Sequence, residues 1–262
     1  MNKIKNLLAN RELPVLNIYF TAGFPELNST VNLIQSLSHS GVDLIEIGMP
    51  YSDPMADGPT IQRSSSQALN NGMTLALLFE QVGLASEEVD TPLILMGYLN
   101  QMMQYGEEKF LEKCQQTGIS GLIIPDLPPE LYEDQYRELF SRFGVEIIFL
   151  ITPQTSEERI RKIDMLSDSF IYIVSESSIT GKTKSLSPEQ LAYFQRIQRM
   201  KLRNPTFIGF GISDREGFRQ ATEYSSGAII GSAFIKRLEA NHGNIELDET
   251  VRTFVNEIKN GQ

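Results

Sequence analysis

The chain reads as an α/β protein of the (β/α)8 TIM-barrel class, with an extra N-terminal helix and extended loops after strands 2 and 6. Three observations carry that expectation. Short β-branched runs alternate with amphipathic segments of helix length, which is how parallel strands and their crossovers are written. Eight such runs fit into 262 residues, the size of one barrel. A hydrophobic content of 41% over that length supports one large core. A single domain over residues 1–262 follows, with a doubly wound open sheet as the alternative.

Residues 1–10 pattern as a short amphipathic helix and lack the apolar stretch of a signal peptide. Strands are then expected at 15–20, 42–47, 92–96, 121–124, 145–150, 170–174, 206–209 and 228–230. Helices are expected at 29–39, 107–117, 130–142, 157–166, 188–202, 215–223 and 233–239. Ser156, Ser187 and Ser213 each place a hydroxyl ahead of acidic first-turn residues, as an N-cap does, and Pro188 suits a first helical position. Gly41, Gly118 and Gly144 stand where helices must stop before the next strand.

Composition narrows the function. Thirty-three acidic against 23 basic residues leave a formal charge of −10, which disfavours nucleic acid and anionic membrane as partners. The same charge opposes phosphorylated metabolites, so a phosphate site here must rely on local backbone dipoles. The single Cys114 excludes a disulfide framework and reads as a core thiol. No apolar run approaches the ~18 residues of a membrane span. A reducing cytoplasm is the expected location.

Two connections exceed the usual ~2–6 residues of strand–helix loops. One lies within residues 46–62, EIGMPYSDPMADGPTIQ; the other, 175–187, is polar and reads as a lid. In a barrel both emerge on the C-terminal face, where active sites form. Glu46 shares a strand face with Val42 and Leu44. If that face is internal, desolvation raises its pKa toward neutrality; if not, it is an ordinary strand-end carboxylate. Asp53 and Asp57 both border turn formers and could each close an Asx-turn. Paired with Glu46, Asp57 favours acid–base work. Two glycine turns, around Gly211 and around Gly231-Ser232, end the seventh and eighth strands, where this architecture commonly binds phosphate. His39 and His242 are the only histidines and neither falls at a strand tip, so a histidine base or histidine-ligated metal is not expected. No lysine ends a strand, which argues against a Schiff base; Lys182 and Lys184 are on the long loop. Such a site can break a carbon–carbon bond only when the substrate carries its own electron sink.

The 46–62 string, together with TAGFP at 21–25, LMGYLN at 95–100, IPDLP at 124–128, ITP at 151–153, Thr180-Gly181, GFGIS at 209–213 and IGSAF at 230–234, resembles the tryptophan synthase alpha subunit family. The resemblance covers nearly the whole chain. It implies retro-aldol cleavage of indole-3-glycerol phosphate to indole and glyceraldehyde 3-phosphate, with the indole ring as the sink. It implies that Glu46 transfers the proton and that Asp57 accepts the ring N–H. Tyr19, Ile61, Tyr98, Tyr172 and Phe210 would line the pocket; Gly181, Gly211, Gly231 and Ser232 would hold the phosphate, and Thr180 would reach Asp57 when the lid closes. It implies no cofactor in this chain and a pyridoxal-phosphate beta subunit in an α2β2 assembly, with the Asp53 loop near the contact. Ser178 and Glu176 depart from the family's usual lid residues. Other phosphate-binding barrel enzymes, or a non-catalytic subunit that activates a partner, are the competing functions.

Overall fold

The computed structural model describes residues 2–10, 14–175, 186–209 and 211–261. The strands are β1 (Val15–Thr21), β2 (Leu44–Gly48), β3 (Leu93–Met96), β4 (Ile119–Ile123), β5 (Glu146–Ile148), β6 (Leu150–Ile151), β7 (Ile171–Val174), β8 (Thr206–Gly209) and β9 (Gly227–Ile230). All pair in parallel, in the order β5-β4-β3-β2-β1-β9-β8-β7-β6. The two ends of that order are one stretch of chain. β5 bonds to β4 and β6 to β7, and the Phe149 carbonyl between them accepts the Tyr172 N–H at 2.9 Å. The expected fifth strand is thus broken at Phe149 and closes the ring from both sides. The architecture is the expected (β/α)8 barrel.

Helix ends follow the chemistry of their caps. Ser156 and Ser187 each accept an N–H from the third residue on, and Pro188 opens its helix. At the next start the capping side chain is Asp214, not Ser213: its carboxylate accepts the Gly217 N–H at 2.9 Å. Either side chain satisfies one of the orphan donors at a helix N-terminus, and the backbone here selects the second. Gly41, Gly118 and Gly144 have φ of +80°, +73° and +67°, the left-handed turn that ends a helix cheaply only with glycine.

The N-terminal helix, Lys3–Asn10, packs against the barrel at β4. Its Ile4 is fully buried, and the space a Cβ on Gly121 of β4 would need is taken by Ile4 and Ile148. Asn2 fixes the start of this helix by donating to the Ser120 carbonyl at 2.6 Å. Helices at Pro59–Asn70, Leu75–Ser86, Leu99–Tyr105 and Leu247–Asn260 add to those expected from sequence. The expected 130–142 helix contains a π-helical turn at Tyr132–Tyr136. Among the described residues no helix is long and apolar enough to cross a membrane.

The loop after β2 runs over residues 49–58 and ends at Pro59, the first residue of the next helix. Most of the long loop after the expected sixth strand, including Glu176, Ser178, Lys182 and Lys184, lies outside the described residues.

Candidate active site

A cavity of about 470 Å³ is lined by Tyr19, Glu46, Asp57, Gly58, Ile61, Met96, Tyr172, Ile212, Ile229 and, around one end, Gly211, Ser213, Gly231, Ser232, Ala233 and Lys236. The barrel brings these together because β1, β2, β7, β8 and β9 all deliver their C-terminal ends to one mouth.

Glu46 sits on β2 beside Tyr19 of β1 in the parallel register and is 1% exposed. The open reading of its face is thereby resolved: it points inward. Burial pushes its carboxyl up to about 8; the Asn17 amide, which donates to Oε2 at 2.8 Å, pulls the other way, and the charge of Asp57 adds to the rise.

Asp57 is half-buried on the loop after β2, where its N–H bonds to the Pro54 carbonyl and its carbonyl accepts from Gln62 at 2.9 Å. Burial raises its carboxyl to about 6, against the lowering effect of a hydrogen bond from the Tyr98 hydroxyl to Oδ2 at 3.1 Å. The same Tyr98 oxygen accepts the Ala56 N–H at 3.0 Å, and its ring stacks on Tyr51 with centroids 5.1 Å apart. Tyr98 thus reaches the cavity through Asp57, whose carboxylate it holds. Asp53, by contrast, is exposed, and among the described residues its hydrogen bonds stay within its own turn, to Ser52 and the Met55 N–H. We expect Tyr98→Phe to shift the acid limb of activity to higher pH, since the lost donor favoured ionised Asp57. Turnover at neutral pH should fall roughly tenfold, matching about 1.5 kcal/mol for one hydrogen bond to a charged group.

Tyr19 and Tyr172 are held across the mouth by glycines at neighbouring strand tips. A Cβ on Gly48 would lie 2.1 Å from the Tyr19 hydroxyl oxygen, and one on Gly209 would lie 2.3 Å from that of Tyr172. Burial keeps both phenols well above their usual pKa, hence neutral. Gly48→Ala is expected to push Tyr19 into the cavity. It should cost about 1–3 kcal/mol by overpacking and lower turnover; thermal melts and steady-state assays check both.

The glycine end has the character of an anion site. Gly211 has φ +80°, and Gly231 precedes the helix Ser232–Asn241. The first-turn N–H groups of that helix have no intrahelical acceptor and carry the positive end of its dipole. Of the side chains named from sequence, Tyr19, Glu46, Asp57, Ile61, Tyr172, Gly211, Gly231 and Ser232 meet at this cavity. Thr180, Gly181 and Phe210 lie outside the described residues. Sequence reasoning missed Asn17, Met96, Ser213 and Lys236. Asn17 could have been found as an amide on the same strand face as Tyr19, and Lys236 as a cation one helical turn beyond Ser232.

Comparison with known proteins points to one family. A family model described as tryptophan synthase alpha chain matches residues 6–262. The tryptophan synthase alpha chain of Flavobacterium psychrophilum is 57% identical over 92% of this chain and 95% of its own length. That of Christiangramia forsetii is 53% identical over 99% of each. Among solved structures, the alpha subunit from Legionella pneumophila superposes with a TM-score of 0.88 at 34% identity, covering 98% of this chain and 97% of that one. A tryptophan synthase complex from Pyrococcus furiosus matches with a TM-score of 0.83 at 31% identity, over 94% of this chain and 98% of that one. The chain belongs to the tryptophan synthase alpha chain family.

Proposed function

We propose that this chain cleaves indole-3-glycerol phosphate to indole and D-glyceraldehyde 3-phosphate, with Glu46 and Asp57 as the catalytic pair. The observation that carries the assignment is Glu46. A carboxyl 1% exposed, raised to about 8 and lining an apolar cavity is a proton donor at neutral pH. The test is indole release by the purified chain, alone and with a beta subunit. Indole formation is expected; none in either condition overturns the reading.

Family membership supports the reaction, and the residues that line the cavity account for its steps. Tyr19, Ile61, Met96, Tyr172 and Ile229 provide an apolar slot for the ring. Protonated Glu46 gives its proton to the ring carbon bearing the side chain. The ring nitrogen, which keeps its hydrogen, becomes iminium-like, and the Asp57 carboxylate accepts that N–H and offsets the positive charge. Glu46, now a carboxylate, takes the proton of the adjacent side-chain hydroxyl. That oxygen becomes the aldehyde carbonyl, the carbon–carbon pair returns to the ring, and indole leaves. One proton has moved from hydroxyl to ring carbon through Glu46, which ends as it began. The ring is the electron sink, so no resident cofactor is needed in this chain.

The phosphate sits at Gly211, Gly231 and Ser232 in this reading; the parts expected of Thr180, Gly181 and Phe210 fall outside the described residues. Lys236 is the one cation among the described lining residues, in a chain of formal charge −10. Lys236→Gln is expected to raise KM roughly three- to tenfold with kcat little changed, because the phosphate is bound equally in ground and transition states. Steady-state kinetics at low and high salt check it, the difference shrinking as salt rises.

The wider assignment is an α2β2 enzyme of tryptophan biosynthesis in the cytoplasm, with pyridoxal phosphate in the beta subunit and the 49–58 loop near the contact. Met55, 92% exposed on that loop, gives it an apolar tip for such a partner.

A further inference from the structure

Asn17 lies in the middle of β1 between Leu16 and Ile18, with 0% exposure. Its amide nitrogen donates to Glu46 Oε2 at 2.8 Å, and its amide oxygen, equally buried, has no hydrogen-bond partner among the described residues. That combination is unfavourable for packing. Asparagine is a poor strand residue, and a buried acceptor without a donor costs stability that an aliphatic side chain of the same size avoids. An amide kept to tie strands together would use both ends; this one makes a single contact, and that contact is the carboxyl of Glu46.

We propose that Asn17 is a positioning residue for Glu46, fixing which carboxyl oxygen exchanges the proton with substrate. The proposal rests on the reading of Glu46 given above. The N–H of Asn17 occupies Oε2. In the acid form an N–H donor is best met by the carbonyl-type oxygen, so the proton resides on Oε1, the oxygen left for the cavity. In the carboxylate form the same N–H stabilises the charge left after the proton has gone. One contact thus serves both halves of the cycle without moving. The groups facing Glu46 are Asp57 from the loop after β2, Tyr19 from β1 and Tyr172 from β7. The charge of Asp57 opposes ionisation of Glu46, and the Asn17 hydrogen bond is the contact that favours it.

The test is single-turnover cleavage of indole-3-glycerol phosphate as a function of pH, using the chain with its beta subunit, for wild type, Asn17→Leu and Asn17→Ala. Leucine keeps the branched heavy-atom shape and removes the donor; alanine covers the case in which the bulkier leucine does not fit. In either folded variant the rate at pH 7 should fall about tenfold, the size expected for a lost hydrogen bond to a charged group. The substrate concentration giving half the maximal single-turnover rate should stay within about twofold, and the alkaline limb should move up by about one pH unit. A folded variant whose rate and limb coincide with wild type overturns the inference. So does failure of both variants to fold, which would make the residue structural. Wild-type chain that releases no indole refutes the functional reading instead, a separate outcome.

Discussion

Glu46→Gln and Asp57→Asn should each reduce turnover by at least ~10²-fold while the barrel and its binding to a beta subunit persist. Glutamine keeps the shape of Glu46 and can still accept the Asn17 N–H, but it cannot give up and recover a proton. Asparagine keeps the shape of Asp57 and its bond from the Tyr98 hydroxyl, but carries no charge to offset the iminium-like ring. Because both act on one transition state, the double variant should be little worse than the poorer single one. A second measurement separates lost chemistry from lost fold. The carboxyl of Glu46 titrates near 4.5 when free and near 8 in the folded chain. Between those pH values the folded state holds more protons than the unfolded one, so wild-type stability falls as pH rises through that window. Glu46→Gln removes this dependence and is expected to melt above wild type at pH 8–9, by an amount on the order of a few kcal/mol. Retained turnover in both single variants would instead favour a chain that only binds and activates its partner.

How far the sequence disclosed this differs from element to element. The strands were legible because each is an apolar, β-branched run between helix stops, and Gly41, Gly118 and Gly144 mark those stops by needing positive φ. The helix Leu75–Ser86 was not legible: LALLFEQVGLAS is apolar on most sides, so no polar stripe sets off its buried face. Pro59–Asn70 begins inside the motif-rich loop and reads as its continuation until the structure shows Pro59 at the first helical position. The break at Phe149 follows from closing the ring, in which one segment must pair on both sides, and leaves no mark in the residues themselves. At the site, Glu46 and Asp57 were visible as carboxylates at a strand tip and on its loop. The direction of the Glu46 side chain was not, because every residue of β2 is buried and alternation carries no contrast. Tyr98 was expected in the pocket; its tie to Asp57, the stack on Tyr51 and the bond from the Ala56 N–H were not legible. Asn17 escaped notice since strand reading rewards β-branched and aromatic neighbours and passes over the single amide between them.

Cleavage by the wild-type chain should peak between pH about 6 and about 8, the values to which burial raises Asp57 and Glu46. The productive form has Glu46 protonated and Asp57 ionised. At pH 7 roughly nine in ten Glu46 carboxyls carry the proton they must give, whereas an ordinary glutamate would carry almost none. Above about 8 Glu46 ionises and the rate should fall by about tenfold per unit. Below about 6 Asp57 gains a proton and loses the charge that meets the ring nitrogen. The second ionisation of a phosphate monoester also lies near ~6, so the acid limb is shared with the substrate, while the alkaline limb belongs to the enzyme. Asp57→Asn separates them in its residual activity: the acid limb then reports the phosphate alone. The alkaline limb should move down, because the negative charge that helps raise Glu46 has gone. A rate that keeps climbing through pH 9 would mean that Glu46 enters the cycle as a base, and the order of proton transfers proposed here would have to be reversed.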